Sequence, residues 1–588
     1  MRKYFKKGIL LIVMFFSLVC VVNADDVATL QSKIDSGEKV IVLDTNYTED
    51  ITISENQNLT IDLNGYSITG TVTDLGSLTI KSSKDGGKLI GNGIKNSAVV
   101  YVGKENGNEK LAGNFTLESG IIESNVGYGV YCLYGSKAIV NGGTFNTLYS
   151  GLTGNNTTGS MYFVVNDGII NTKFGPAIYM PGPVSLDING GTLNGGISLR
   201  MGKLNIAGGI INAAKDNFDS FAEYYFYSGN AWLDDAIYVF GGTYQTDVEG
   251  QTNDLEINIT GGTINALNKS GAAVAIYDIG KVAQEKTINV SGSAKLISNS
   301  DSKGIIDVIS LDSAGVKNIL DGYNNPKYLG NENINITGGS YSTSVGHFLS
   351  SDYVMGQKDG MYVVASRSLT IEAPTVDKKT DVKDVTVGVA SSDGLKSVLE
   401  KSLKDSKIDT SAISPEVVIE STNLDKNNID DVILNGINKA LSDKSKDIVL
   451  SDLFDISVVV KDSINNKKVT LLTDLSEEVE FNILVPKALL EVKEGVTRTF
   501  YIVRFHDGKA EFLDTVNNDG VLSFKSDKFS AYAIAYEDKT NTSAGEVTGE
   551  TEVKNPATID GIGLALFAGV FSFVALAGTG YILVKKHN

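Results

Sequence analysis

Residues 255–266 read "LEINITGGTINA". Leu255, Ile257 and Ile259 alternate with Glu256, Asn258 and Thr260, the period of two that marks a half-buried strand. Gly261-Gly262 then tolerates positive φ and forces a bend, and Thr263-Ile264-Asn265 starts another short strand. The phrase returns as "INITGGSYS" at 334–342. Looser copies stand at "IVNGGTFNT" (139–147), "DINGGTLNG" (187–195) and "NIAGGIINA" (205–213). Glycine marks fall near 142, 168, 190, 208, 241, 261, 292 and 338, with the short spacings near 20 residues. Short strands and sharp turns recurring at that period predict a stacked solenoid. A mainly β chain is therefore expected, with a parallel β-helix over 40–365 whose coils bury Ile, Val and Leu and pair by backbone hydrogen bonds ~4.8 Å apart. At ~22–25 residues per coil this predicts ~13–15 coils and a rod ~60–70 Å long. The recurrent Asn141, Asn189, Asn258 and Asn335 are expected to stack, amide on amide. Val27, Leu30 and Ile34 have helical spacing, so 25–39 is expected to cap the open end.

After about residue 370 the glycine pairs stop. "DGLKSVLEKSLKD" (393–405) and "NNIDDVILNGINKALSD" (427–443) have helical spacing, the second with Ile429, Val432, Ile433, Ile437 and Leu441 as its apolar stripe. Alternating strands follow at "FDISVVVKD", "VEFNILVP", "TFYIVRFHDGKAEFLDT" and "GVLSFKSDKFSAYAIAYED". This predicts a β-rich, sandwich-like module with some helix over 370–538. A polar linker follows over 539–554.

The ends carry targeting signals. "MRKYFKKGILLIVMFFSLVCVVNA" has a basic start, an apolar run and small residues before Ala24, the pattern of a secretory signal peptide over 1–24. Residues 562–584 are almost free of charge and long enough to span a ~30 Å hydrocarbon core as a transmembrane helix. Lys585, Lys586 and His587 follow, a basic tail of the kind kept on the cytoplasmic side. The body of the chain is then extracellular. Of the two cysteines, Cys20 lies in the leader and Cys132 has no partner in the mature chain, so the core must be held together without disulfides.

With 51 basic against 70 acidic residues the net charge is -19, which argues against nucleic acid as partner. No cofactor is expected. Acid runs are compatible with calcium, although no calcium motif is present.

"NPATIDGIGLALFAGVFSFVALAGTGYILVKKHN" resembles the sorting signal of Gram-positive surface proteins: a pentapeptide, an apolar span and a basic tail over 555–588. Asn555, Pro556, Ala557 and Thr558 match the NPxTx type. Ile559 stands where glycine is usual. The resemblance implies cleavage after Thr558 by a sortase and linkage to peptidoglycan; retention by the transmembrane helix is the alternative. The GGT[IF] turns and the N-terminal opening resemble the pectate-lyase-like right-handed parallel β-helix superfamily. The "HDG…EFLDT…FSAYAIAY" segment (506–536) is similar to the spacer modules near wall anchors.

That superfamily contains polysaccharide lyases and glycosidases, so the resemblance implies that catalytic residues are to be expected in the rod if the chain is an enzyme. The Gly-His-Gly of polygalacturonase-type hydrolases is absent, and His347 is the only histidine of the rod. The rod body has one arginine, Arg200, for which a structural or surface role is expected. Asp234 and Asp235 are adjacent and would face opposite sides of a strand. No catalytic residue or metal ligand is assigned. The insertion "AAKDNFDSFAEYYFYSGNAWLDDAIYVF" carries Tyr224, Tyr225, Tyr227 and the only tryptophan, Trp232. Aromatic faces stack on sugar rings, so these residues with Asp234 and Asp235 form the candidate ligand site. The expected function is a wall-anchored adhesin or glycan-contacting module, whose partner is a host or environmental glycan or a surface protein. The alternatives are an extracellular polysaccharide lyase or glycoside hydrolase, and a passive stalk.

Overall fold

The structure, a computed structural model, describes residues 29–154, 159–213, 234–242, 252–267, 269, 271–278, 282–300, 304–311, 317–319, 332–374, 385–390 and 394–541. The chain is mainly β. Its N-terminal part winds through three sheets in turn and is a parallel β-helix. Sheet A has 11 strands from Val40–Val42 to Glu332–Ile336. Sheet B has 13 from Tyr47–Thr48, and sheet C has 11 from Ile51–Ile53. Strands pair in parallel with the strand one coil away, as in Leu255–Ile259 on Gly202–Ile206 and on Lys286–Val290, except that Lys317–Ile319 ends sheet C antiparallel to Ile306–Leu311. Sheet B is then extended by an antiparallel hairpin, Tyr353–Lys358 and Met361–Ser366.

The period-two reading explains the interior. Leu78, Phe115, Ala138, Phe163, Leu186 and Leu204 align in sheet A, one per coil, and all are buried. Each coil thus fills its own slice of the core and covers its neighbours. The N-terminal end is closed by the helix Leu30–Asp35, whose Leu30 and Ile34 are buried. Thr29 Oγ1 accepts from Ser32 N at 3.1 Å, and Glu49 of the first coil accepts from Leu30 N and Gln31 N at 2.7 and 3.2 Å. A carboxylate set against helix-terminal N–H groups both caps the helix and ties it to the rod.

Two expectations change. Among the described residues sheet A has 11 rungs rather than 13–15, because neighbouring rungs are joined by very unequal lengths of chain: 18 residues between Asn194 and Asn212, and 53 between Asn212 and Asn265. The mark at Gly241 also has a different origin. The pairs at 142, 190, 208, 261 and 338 lie between a sheet A strand and a sheet B strand, whereas Gly241 ends the sheet C strand Ile237–Gly241.

The asparagines do stack, but in three columns. In the turn after sheet A, Asn189 donates to Asn166, Asn166 to Asn141, and Asn141 to Glu118, at 2.7–2.9 Å. On the outer face of sheet A, Asn335, Asn289, Asn258 and Asn205 donate in sequence down to Asp187. On sheet B, Asn265, Asn212, Asn194 and Asn171 donate down to Asn146. Asn141 and Asn189 therefore belong to one ladder, and Asn258 and Asn335 to another. In all three, the amide of the later coil donates to the earlier one.

The second part is a mixed β module with a few helices. One sheet orders Thr370–Glu372, Pro415–Leu424, Ile448–Asp462, Ala531–Thr540, Val496–His506 and Lys509–Leu513. The other orders Thr386–Val389, Asp474–Leu484, Val521–Lys528 and Thr515–Asn518. Phe454, Phe481, Phe524 and Tyr532 pack in the core they share. Both expected helices form, at Leu395–Asp405 and Asp431–Lys444. In the second, Ile437 and Leu441 are buried while Val432 is 65 % exposed, so Val432 leaves the expected stripe and Leu434 packs in instead. Val432 sits in the first turn, where Asp430 Oδ1 accepts its N–H at 2.8 Å.

Candidate functional site: a trough on the outer face of sheet A

Where alternation sends Leu186, Leu204, Ile257 and Ile288 inward, it sends Ser185, Lys203, Glu256 and Thr287 outward on four successive rungs. These four, with Asp254 and Glu285 from the preceding turns, line an open trough of about 430 Å3. One neighbouring coil earlier, Tyr162 occupies the same column.

Charge and hydrogen bonding hold the trough in shape. Glu256 accepts from Asn258 Nδ2 at 2.8 Å and pairs with Lys203 at 3.2 Å; the amide first and the ammonium second pull its pKa below the usual carboxylate value. Asp254 Oδ1 accepts from Glu285 N at 3.0 Å, which fixes one turn against the next. Tyr162 donates to Asp187 Oδ2 at 2.8 Å, and this bond, with burial and the carboxylate charge, raises the phenol pKa. The Lys137 ammonium lies 4.9 Å from the Tyr162 ring centroid, within cation–π range. Asp187 also anchors the sheet A amide ladder by accepting from Asn205 at 2.7 Å. An interior amide of such a ladder uses one N–H and one lone pair on its neighbours; Asn258 also gives its second N–H to Glu256 at 2.8 Å, so beside the trough the carboxylate rather than that amide faces a bound hydroxyl. A tyrosine ring, hydroxyls, an ammonium and carboxylates, one polar group on each rung at the ~4.8 Å coil spacing, suit a hydroxyl-rich polymer running along the coils.

Of the residues singled out from the sequence, none of the described ones lines the trough. Tyr224, Tyr225, Tyr227 and Trp232 fall outside the described residues. So do the leader with Ala24, the span 562–584, and Asn555, Pro556, Ala557, Thr558 and Ile559. Among the described residues no helix is long and apolar enough to cross a membrane. Asp234 stands in a turn before sheet C, not on a strand. Asp235 is fully buried and ties two coils together: it accepts from Ala272 N at 2.7 Å and from Tyr277 Oη at 2.6 Å. Arg200 is 3 % exposed and donates to Tyr179 Oη at 3.3 Å. His347 sits in the short helix Gly346–Phe348, its ring 3.9 Å from that of Phe348. None of these four lines the trough. Among the described residues no group of three or more His, Cys, Asp or Glu side chains could hold a metal ion.

Sequence reasoning missed Tyr162, Asp187, Lys203 and Glu256. The usable signal was the phase of the repeat: once "SLDI", "KLNI" and "LEINI" are aligned, their polar letters fall in two outward columns. No protein-family model, no curated protein and no solved structure matches this chain.

Proposed function

We propose that this chain is an extracellular surface protein, secreted through its N-terminal leader, joined to peptidoglycan by a sortase at Thr558, and displaying a glycan-contacting β-helix of the right-handed pectate-lyase-like type. The module over 370–538 is then the spacer between wall and rod. The trough on sheet A carries the reading, since a column of outward polar groups, one on each rung beside an amide ladder, offers a polymer hydrogen-bonding and charged contacts along the coils. Asp254, Glu256 and Glu285 outnumber Lys203, and the whole chain is acidic, so the favoured ligand is a neutral or amino-bearing glycan rather than a polyuronate. Binding of a panel of labelled polysaccharides to cells displaying the whole chain tests this. Lys203→Ala combined with Glu256→Gln is expected to weaken retention by roughly tenfold, the loss of one or two hydrogen bonds to charged groups. Unchanged retention by the double variant removes the site. Shortening of a bound polysaccharide would replace adhesion with a lyase or hydrolase activity.

A further inference from the structure

The outer face of sheet B is built differently from that of sheet A. One outward column reads Ile121, Thr144, Ile169, Thr192, Ile210, Thr263, one residue per rung. The neighbouring column reads Glu123, then Asn146, Asn171, Asn194, Asn212 and Asn265, the amide ladder. The five rungs from Thr144 to Thr263 carry no charge at either outward position, on a chain of net charge -19. Ile169 and Ile210 are 44 % and 42 % exposed.

The order of the first column is self-complementary. Isoleucine and threonine alternate strictly, so the column read backwards places threonine wherever the forward reading has isoleucine. We infer that this face pairs with the same face of a second copy of the chain. The two-fold axis runs along the strands, between the rungs of Ile169 and Thr192. Under that operation Ile169 meets Thr192 of the second copy, Ile210 meets Thr144, and Ile121 meets Thr263. Each branched side chain enters the gap over a smaller one, and the two amide ladders face each other. The contact is isologous and closed. An uncharged face is also where two acidic chains can touch without burying unpaired charge. At the ends, Lys295 of one copy comes opposite the Lys88–Glu123 pair of the other, whose members lie 2.9 Å apart and sum to zero charge.

Six rungs of ~4.8 Å and a face about three or four residues wide at ~3.3 Å give roughly 300–400 Å2 per copy, below the ~800 Å2 of a standard stable interface. The pairing is therefore weak between free molecules and forms where copies are held at high local concentration with their rods antiparallel, the sense that an axis along the strands imposes. This inference does not depend on the glycan reading, which uses a different sheet.

The test places single cysteines on cells displaying the whole chain in a Cys20→Ser background; Cys132 is buried. In the paired geometry the two copies of Ile169→Cys are separated by about one rung and one sheet spacing, ~4.8 and ~10 Å, within reach of a short bis-maleimide. Thr192→Cys is equivalent. Ile121→Cys lies on the same face, but its two copies are about five rungs apart, ~24 Å. Lys203→Cys lies on sheet A. The expected result is covalent dimer at Ile169→Cys and Thr192→Cys, at least ~10-fold above Ile121→Cys and Lys203→Cys. Adding Ile210→Lys to Ile169→Cys should abolish the dimer. Equal yields at all four positions would mean random collision, and equal yields at Ile121→Cys and Ile169→Cys a different register; either overturns the inference. So does an absence of dimer at Ile169→Cys, including the case where an added polysaccharide shields that thiol from a monofunctional maleimide.

Discussion

Asp74 ends the short sheet C strand Val72–Asp74 and points into the rod. Its position aligns with Ile53 in the coil before and Val102 in the coil after, and through Val102 with Cys132. It is fully buried. Oδ1 accepts from Gly76 N at 3.0 Å, and Oδ2 has no hydrogen-bond partner among the described residues. Burial raises its pKa from 3.8 to about 7, against the pull of the Gly76 and Leu78 N–H groups. A carboxyl whose folded pKa is raised is most stabilising, relative to the unfolded chain, below the unfolded pKa, and that advantage is lost as pH rises towards the folded pKa. Three units at 1.36 kcal/mol each amount to about 4 kcal/mol lost between about pH 4 and pH 7. Asp74→Asn keeps the Oδ1 acceptor and cannot ionise, but its amide leaves an additional donor without a partner, a cost of about 1–2 kcal/mol. The variant is therefore expected to be about 2–3 kcal/mol more stable than wild type at pH 8, with no advantage at pH 4. Cys132, fully buried in the same interior stack, provides the assay: its labelling rate by a thiol reagent in moderate urea, with Cys20 replaced by serine, reports opening of these coils. At pH 8 the labelling of Asp74→Asn should be roughly 30- to 150-fold slower after correction for thiolate fraction. Faster labelling at pH 8, or a difference between the two proteins that does not change with pH, would refute the reasoning.

Two further outcomes follow from the ladders and the anchor. Asn194 both donates to Asn171 and accepts from Asn212, so Asn194→Ala should cost about 1–2 kcal/mol in urea denaturation; Asn265→Ala, which removes the single bond to Asn212, should cost about half as much, and equal costs would deny the ladder its cooperative role. Under the wall-anchoring proposal, Thr558→Ala should make the protein extractable by detergent, and unchanged retention in the wall would refute covalent attachment.

The parts of the fold that repeat were readable and the exceptions were not. "LEINITGGTINA" carries strand, bend and strand in a dozen letters, and each copy folds as one corner of a coil. The helices at Leu395–Asp405 and Asp431–Lys444 were visible because a 3.6-residue stripe is local. Asn141 and Asn189 directly precede a Gly-Gly pair and Asn258 and Asn335 stand three residues before one, and the register between coils turns that offset into different columns. Gly241 misled for the same reason: its spacing matches the turns but it belongs to a strand. Val432 stands five and nine residues from Ile437 and Leu441, which on a helix is the opposite face, whereas Ile433 at four and eight residues packs with them. Asp74 in "TVTDLG" looks like a turn aspartate, and nothing local marks it as interior. The trough is assembled from single letters of four coils, so it exists only once the coils are aligned.

The amide bond from Asn212 to Asn194 closes 18 residues of chain, and the bond from Asn265 to Asn212 closes 53; both are 2.9 Å long. The rungs ignore how much chain lies between them. By loop-closure entropy the longer excursion costs only about 1 kcal/mol more than the shorter. Length added to the chain between Asn212 and Asn265 should therefore leave the Asn194, Asn212 and Asn265 rungs in register, since their bonds hold equally across 18 and 53 residues.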